Sequence, residues 1–176
     1  DAVEVAKGEN FYPHMVRRCI DEDLTMFGNT DEHVLTAYRF GTLDCHRTMT
    51  FVFAKNLTEK SVKDALLKHR TLVYICGYIA GEEKLLGDFL NAAVDCKMLK
   101  ENEKTGERTF MLTNMSSITY RLSRGRTVHE LEPFKSVMVT LGKDKKTGKP
   151  ATPSFRVDNM WHIDFNHPTI TLELDK

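Results

Sequence analysis

Apolar residues recur along the chain with two different periods. Over residues 1–75 short apolar runs alternate with segments whose apolar positions fall three and four apart. Residues 2–6 predict a strand, and Pro13 suits the first turn of the helix that follows. In that helix Met15, Val16, Cys19 and Ile20 share an inward face, while Arg17, Arg18, Asp21 and Glu22 face water. Residues 24–27 predict a second strand, ended by Gly28-Asn29-Thr30. A third apolar run, 49–54, follows a polar loop holding Asp44, Cys45, His46 and Arg47. Thr58 predicts the N-cap of a second helix, with Val62, Ala65, Leu66 and His69 or Leu67 as its buried stripe, and residues 71–75 re-enter a strand.

This strand–helix rhythm predicts parallel β/α units, whose active residues sit on loops beyond the C-terminal ends of strands. After Gly77 the pattern changes. Residues 82–92 predict one more helix, with Leu85, Leu86, Phe89 and Leu90 inward, and the rest alternates with period two. The alternating sets are Val94, Cys96 and Met98; Phe110 and Leu112; Ile118, Tyr120 and Leu122; Val137, Val139 and Leu141; Trp161, Ile163 and Phe165; and Ile170, Leu172 and Leu174. Turns are expected at Lys104-Thr105-Gly106, Arg124-Gly125 and Lys146-Thr147-Gly148. The expected fold class is therefore α+β: a partial β/α segment over 1–76, then an accessory domain over 77–176 made of one helix and an antiparallel, immunoglobulin-like β-sandwich.

The 25 basic and 25 acidic residues cancel, so nothing in the overall charge argues for nucleic acid as a partner, and none is predicted. The longest uncharged run, 71–81, is far short of the roughly 20 residues of a membrane helix, so no membrane span is expected. Cys19, Cys45, Cys76 and Cys96 form no CxxC pair and read as free thiols, mostly buried. The chain opens inside an apolar strand with neither an initiator Met nor a signal peptide, and is expected to be a truncated or processed product.

The sharpest constellation is Gly28-Asn29-Thr30-Asp31-Glu32-His33, directly after the strand at 24–27. In extended backbone, positions i and i+2 point the same way about 6–7 Å apart, so Asp31 and His33 are suited to neighbouring metal ions. Carboxylate and imidazole serve zinc, manganese or iron. On spacing alone, a polar turn in which Asp31 caps the next element is the commoner reading.

The order of these features resembles the last part of the PHP (polymerase and histidinol phosphatase) superfamily, in its phosphodiesterase-like branch. The resemblance runs through Val3-Glu4-Val5, the Phe11-Tyr12-Pro13 helix entry, Leu24-Thr25-Met26-Phe27, the motif at 28–33, His46-Arg47 leading into residues 50–55, and the Ala65-Leu66 helix ending in Arg70-Thr71. It implies a distorted β/α barrel, hydrolysis of phosphate mono- or diesters, and Asp31 and His33 as ligands of a multinuclear centre of zinc, manganese or iron. The family's His-x-His motif and its middle Glu and His ligands have no counterpart in these 176 residues, and Glu32 replaces an apolar residue. The expectation is thus either a fragment whose parent is the enzyme or a degenerate relative of the family, with the fragment as the leading reading. Alone the fragment is inactive, holds no metal tightly, and lacks the N-terminal half of the barrel as a partner.

His46 and Arg47 precede a strand where a guanidinium fork would meet an anionic ester, and they are the candidate substrate-binding pair; a solvated loop pair is the alternative. His14, His69, His129, His162 and His167 share no metal spacing and read as structural. Trp161, Phe165 and Tyr120 read as sandwich core rather than a glycan platform. Lys143, Lys145, Lys146 and Lys149 read as a solvated hairpin tip. A barrel segment cut from its neighbours exposes strand edges that must pair elsewhere or associate between copies, so a homo-oligomer is one expected outcome. The residues do not disclose the compartment, and only the family association suggests a periplasmic or secreted parent. The rival to the enzyme reading is a binding or structural module, in which the β domain attaches to a partner or a glycan.

Overall fold

The structure, a computed structural model, describes residues 1–38, 40, 46–144 and 147–174. Cys45, Lys145 and Lys146 lie outside the described residues. The chain divides into two compact units, Asp1–Leu86 with Asn159–Pro168, and Gly87–Asp158 with Thr169–Lys176.

The first unit begins with β1 (Ala2–Lys7), which turns through Gly8-Glu9 into β2 (Asn10–Phe11) and then enters α1 (Pro13–Asp21). Val16 and Cys19 are the buried positions of α1. The helix stops where Asp23 takes a left-handed φ of +54° and the Leu24 N–H reaches back to the Cys19 carbonyl at 2.8 Å, so that the last carbonyls are satisfied without glycine. The chain then runs into β3 (Thr25–Asn29), which pairs parallel with β1, from Ala2 beside Thr25 to Lys7 beside Asn29. This is the βαβ unit that the early periodicity predicts.

The next unit of the rhythm folds differently. β4 (Met49–Val52), α2 (Glu59–Leu67) and β5 (Thr71–Ile75) follow in order, but β4 and β5 pair antiparallel, where parallel pairing is expected. Val52 lies opposite Thr71, and the Phe53 N–H continues the ladder to the Arg70 carbonyl at 3.0 Å. The nine-residue α2 therefore caps the end of a hairpin instead of carrying the chain back along the sheet. Thr58 is its N-cap, accepting from the Ser61 N–H at 3.3 Å. Of the expected stripe Ala65 is buried, whereas Leu67 is exposed.

β5 turns back through Cys76 (φ +47°) and Gly77 (φ +83°) into β6 (Tyr78–Ala80). Two successive left-handed residues make the tight hairpin loop. β6 in turn pairs parallel with β13 (Met160–Trp161), giving the order β13-β6-β5-β4. All five residues of β5 are buried, as for a strand covered on both faces. Val5, Ala6, Val16, Cys19, Met26, Val73, Ile75 and Ala80 form one core cluster between the elements.

Gly28 is where β3 meets β5. A Cβ built on it would lie 2.4 Å from Val73 Cγ1. The outer edge of Gly28 is closed by one side chain of β4: Thr50 Oγ1 accepts from the Gly28 N–H at 2.9 Å and donates to the Gly28 carbonyl at 3.0 Å.

The second unit holds two antiparallel sheets. β7 (Val94–Asn102), β8 (Glu107–Asn114) and β11 (Ser136–Leu141) form one, in the order β11-β8-β7. β9 (Tyr120–Arg124), β10 (Thr127–Leu131), β12 (Ser154–Val157) and β14 (Thr169–Thr171) form the other, in the order β10-β9-β12-β14. One face of each is buried: Val94, Cys96, Phe110, Leu112 and Val139 in the first, and Tyr120, Leu122, Phe155, Val157 and Ile170 in the second. Helix α3 (Glu83–Ala93) precedes β7 and buries Leu86 and Leu90.

The alternation Trp161, Ile163, Phe165 is not a strand of this unit. Only Met160–Trp161 is extended, and Ile163–Phe165 is a 3-10 turn with Asp164 at φ +55° and Phe165 at φ +58°. Trp161 stacks on Tyr78 at 4.1 Å and on Phe11 at 4.8 Å, so aromatic packing within the first unit claims this segment. Tyr120, expected beside it, is a core residue of the second unit. Cys19 and Cys96 are buried, but Cys76 is exposed at its turn. Among the described residues no helix is long and apolar enough to cross a membrane.

Candidate functional site

The parallel pairing of β1 and β3 brings the C-terminal ends of both strands side by side. Lys7 stands opposite Asn29 in register, and the next peptide is tied across, the Gly8 N–H donating to the Asn29 carbonyl at 2.9 Å. Thr48 Oγ1 fastens the same turn from the other side by donating to the Gly8 carbonyl at 2.5 Å. The chain leaving β3 therefore starts from a fixed point.

From there the backbone does not continue as a strand. Thr30 Oγ1 accepts from the Glu32 N–H at 3.2 Å, and Asp31 takes a φ of +50°. This turn, rather than extended alternation, points Asp31 and His33 toward one another: His33 Nε2 lies 3.8 Å from Asp31 Oδ1. Sequence reasoning missed a third participant. Lys7 Nζ lies 3.4 Å from the same Asp31 oxygen. Its signal was its place at the end of a strand that pairs parallel with the motif's own strand.

Two concavities meet at Asp31. One, of about 550 Å³, is lined by residues including Lys7, Glu9, Asp31, His46, Tyr74 and Cys76. The other, a more open groove of about 660 Å³, is lined by residues including Asp31, His33, Arg47, Met49 and Thr50. His46 stands edge-on to Tyr74 at 5.8 Å, and Arg47 Nη1 donates to Thr36 Oγ1 at 3.4 Å. The four residues singled out in the sequence thus border adjoining spaces. The other histidines have partners elsewhere: His69 Nδ1 meets Thr25 Oγ1, His162 Nδ1 the Gly81 carbonyl, and His167 Nδ1 the Met160 carbonyl, while His14 and His129 lie against Tyr12 and Phe155.

Asp31 and His33 are donors of the kind that zinc, manganese or iron takes, but a resident catalytic ion takes at least three ligands from protein. Among the described residues no three His, Cys, Asp or Glu side chains come together as a metal-binding group. With an ammonium beside one of the two donors, these residues by themselves do not make up a complete metal site.

No family model matches the chain, and no curated protein matches it. Among solved structures it is similar to the crystal structure of a two-domain protein from Bacteroides vulgatus that contains a predicted PHP-like metal-dependent phosphoesterase. The TM-score is 0.84 and the identity 28%, over 98% of this chain and 52% of that one. The chain spans about half the length of that protein.

Proposed function

We propose that the chain is part of a metal-dependent hydrolase of phosphate mono- or diesters, carrying the last metal-ligand motif of a PHP-like catalytic domain together with an accessory β domain. The convergence of Asp31 and His33 beyond the end of β3 carries this reading. It is supported by the likeness, along nearly the whole chain, to a protein containing a predicted phosphoesterase of that type. Asp31 and His33 are the ligands, and the remaining ligands come from a preceding half of the barrel. When bound, divalent zinc, manganese or iron supplies the positive charge that draws the phosphoryl oxygens and activates water. On this side of the site Arg47 presents a planar guanidinium to the ester along the groove, and His46 offers a ring nitrogen at the neighbouring cavity. The second unit is an immunoglobulin-like sandwich, supported by its strand orders: one three-stranded sheet takes its first, second and fifth strands, and one four-stranded sheet takes the others.

The test is made in the full-length parent. Asp31→Asn and His33→Ala each abolish hydrolysis of a chromogenic phosphate ester while circular dichroism is unchanged. Wild-type turnover by the double variant overturns the assignment. One observation favours a second reading, a non-catalytic binding or structural module: the ammonium of Lys7 already pairs with Asp31. A parent that folds but turns over no phosphate ester under any of the three metals decides for it.

A further inference from the structure

Lys7 sits where a divalent ion bound to Asp31 would feel it most. Its Nζ is 3.4 Å from Asp31 Oδ1, the oxygen that also faces His33 Nε2 at 3.8 Å. Among the described lining residues of the 550 Å³ cavity, Lys7 is the one lysine or arginine, and Glu9 and Glu32 are there as well. The backbone that carries Lys7 is fixed. It is the last residue of β1, paired with Asn29, and the turn behind it is held by Gly8 to Asn29 and by Thr48 to Gly8. Its position relative to the motif is set by the sheet.

We propose that Lys7 is a built-in counter-ion of the Asp31–His33 pair, which competes with divalent metal and keeps the pair's own affinity low. The inference rests on reading these two residues as ligands. Two effects act in the same direction. A metal ion taken up by Asp31 would have to displace the ammonium from the carboxylate, and it would share the site with a second positive charge. A like charge in the same site is unfavourable even in high dielectric and is screened by salt. The pair therefore remains lightly loaded until further anionic ligands outweigh Lys7.

The experiment is calorimetric titration of the 176-residue chain with zinc and with manganese at low ionic strength. Lys7→Gln and Lys7→Met are expected to bind at least one of the two ions about tenfold more tightly than the wild type, equivalent to ~1.4 kcal/mol. Lys7→Arg keeps the charge and remains like the wild type. The gain shrinks in 0.5 M salt, roughly a Debye length of 4 Å, and disappears when Asp31→Asn is added. Tryptophan fluorescence of Trp161, the chain's one tryptophan, verifies the fold of each variant. Equal affinity of the wild type and both neutral variants, including no measurable binding by any of them, overturns the proposal. So does a gain that survives Asp31→Asn. Either result leaves the ligand reading to the activity test in the parent, while active parent enzyme carrying Asp31→Asn and His33→Ala sinks that reading whatever Lys7 does.

Discussion

Trp161 stacks on Tyr78 with ring centroids 4.1 Å apart and planes 17° from parallel. Phe11 lies on it at 4.8 Å, and Phe165 meets it edge-on at 5.3 Å. The two stacked neighbours come from β2 and β6, so one side chain from late in the sequence links two early strands. The turn that follows is pinned as well, with Arg17 Nε donating to Asp164 Oδ1 at 3.1 Å. Trp161→Ala should destabilise the first unit by about 3 kcal/mol, in the range for removing a packed aromatic, and Trp161→Phe by about half of that. Urea unfolding followed by circular dichroism measures both, and a loss under ~0.5 kcal/mol for the alanine variant contradicts the role.

Gly28 is a glycine because of what lies opposite. With Val73 Cγ1 only 2.4 Å from the site of an added Cβ, and the Met49 carbonyl at 3.3 Å, Gly28→Ala forces β3 away from β5. The expected cost is about 1–3 kcal/mol, as for overpacking a filled core. Val73→Ala in the same chain should recover part of it, a coupling visible in a double-mutant cycle. Additive losses would mean that the two residues do not share the contact.

Much of this was legible in the sequence, and what was not has physical causes. The α1 face, the Thr58 cap and the alternations of β7, β8, β9 and β11 follow from local periodicity and sterics, which the chain carries residue by residue. Strand direction does not: β4 and β5 look like a β/α repeat, yet the partner of Val52 is decided by where α2 ends, not by any pattern within the strands. The short strand β6 lacked a recognisable signal, since a Cys-Gly loop with both residues left-handed is not the Asn-Gly that marks such hairpins, and the two-residue β2 is too short to show a period. For Trp161, Ile163 and Phe165, period two suggests a strand, but the turn at Asp164 and Phe165 breaks it after Trp161. At the candidate site, the meeting of Asp31 with His33 arises from a turn rather than from the expected strand geometry. Lys7, 24 positions earlier in the sequence, enters only through the parallel pairing.

Tyr120 makes the second unit sensitive to alkali. Its ring is fully buried, with its hydroxyl 3.1 Å from Ser116 Oγ, and burial pushes its pKa up to about 12, against a smaller opposite effect of the Ser116 hydrogen bond. The ordinary value is about 10, so between pH 10 and 12 the unfolded chain releases its proton first. The contribution to stability is whole below pH 10 and is lost as pH rises toward 12, amounting to about 1.4 kcal/mol by pH 11. Tyr120→Phe removes this slope and costs ~1 kcal/mol at neutral pH through the lost hydrogen bond. Urea unfolding of both proteins at pH 7, 10 and 11 tests this. Parallel curves would show that Tyr120 is not the group responsible.

The backbone at Asp31 determines which variants can separate folding from function. At φ +50° an L-residue is in the left-handed region, where asparagine and aspartate are the non-glycine residues best tolerated and a β-branched side chain clashes with its own carbonyl. Asp31→Asn should therefore leave stability within ~0.5 kcal/mol of the wild type, since the exposed ion pair with Lys7 contributes little. Asp31→Gly should be neutral or slightly stabilising, and Asp31→Val should cost about 1–2 kcal/mol. Thermal and urea unfolding of the three variants give the order. If valine is tolerated as well as asparagine, the turn at Thr30–Glu32 does not hold Asp31 left-handed in solution, and the convergence of Asp31 with His33 must then arise from another conformation of that loop.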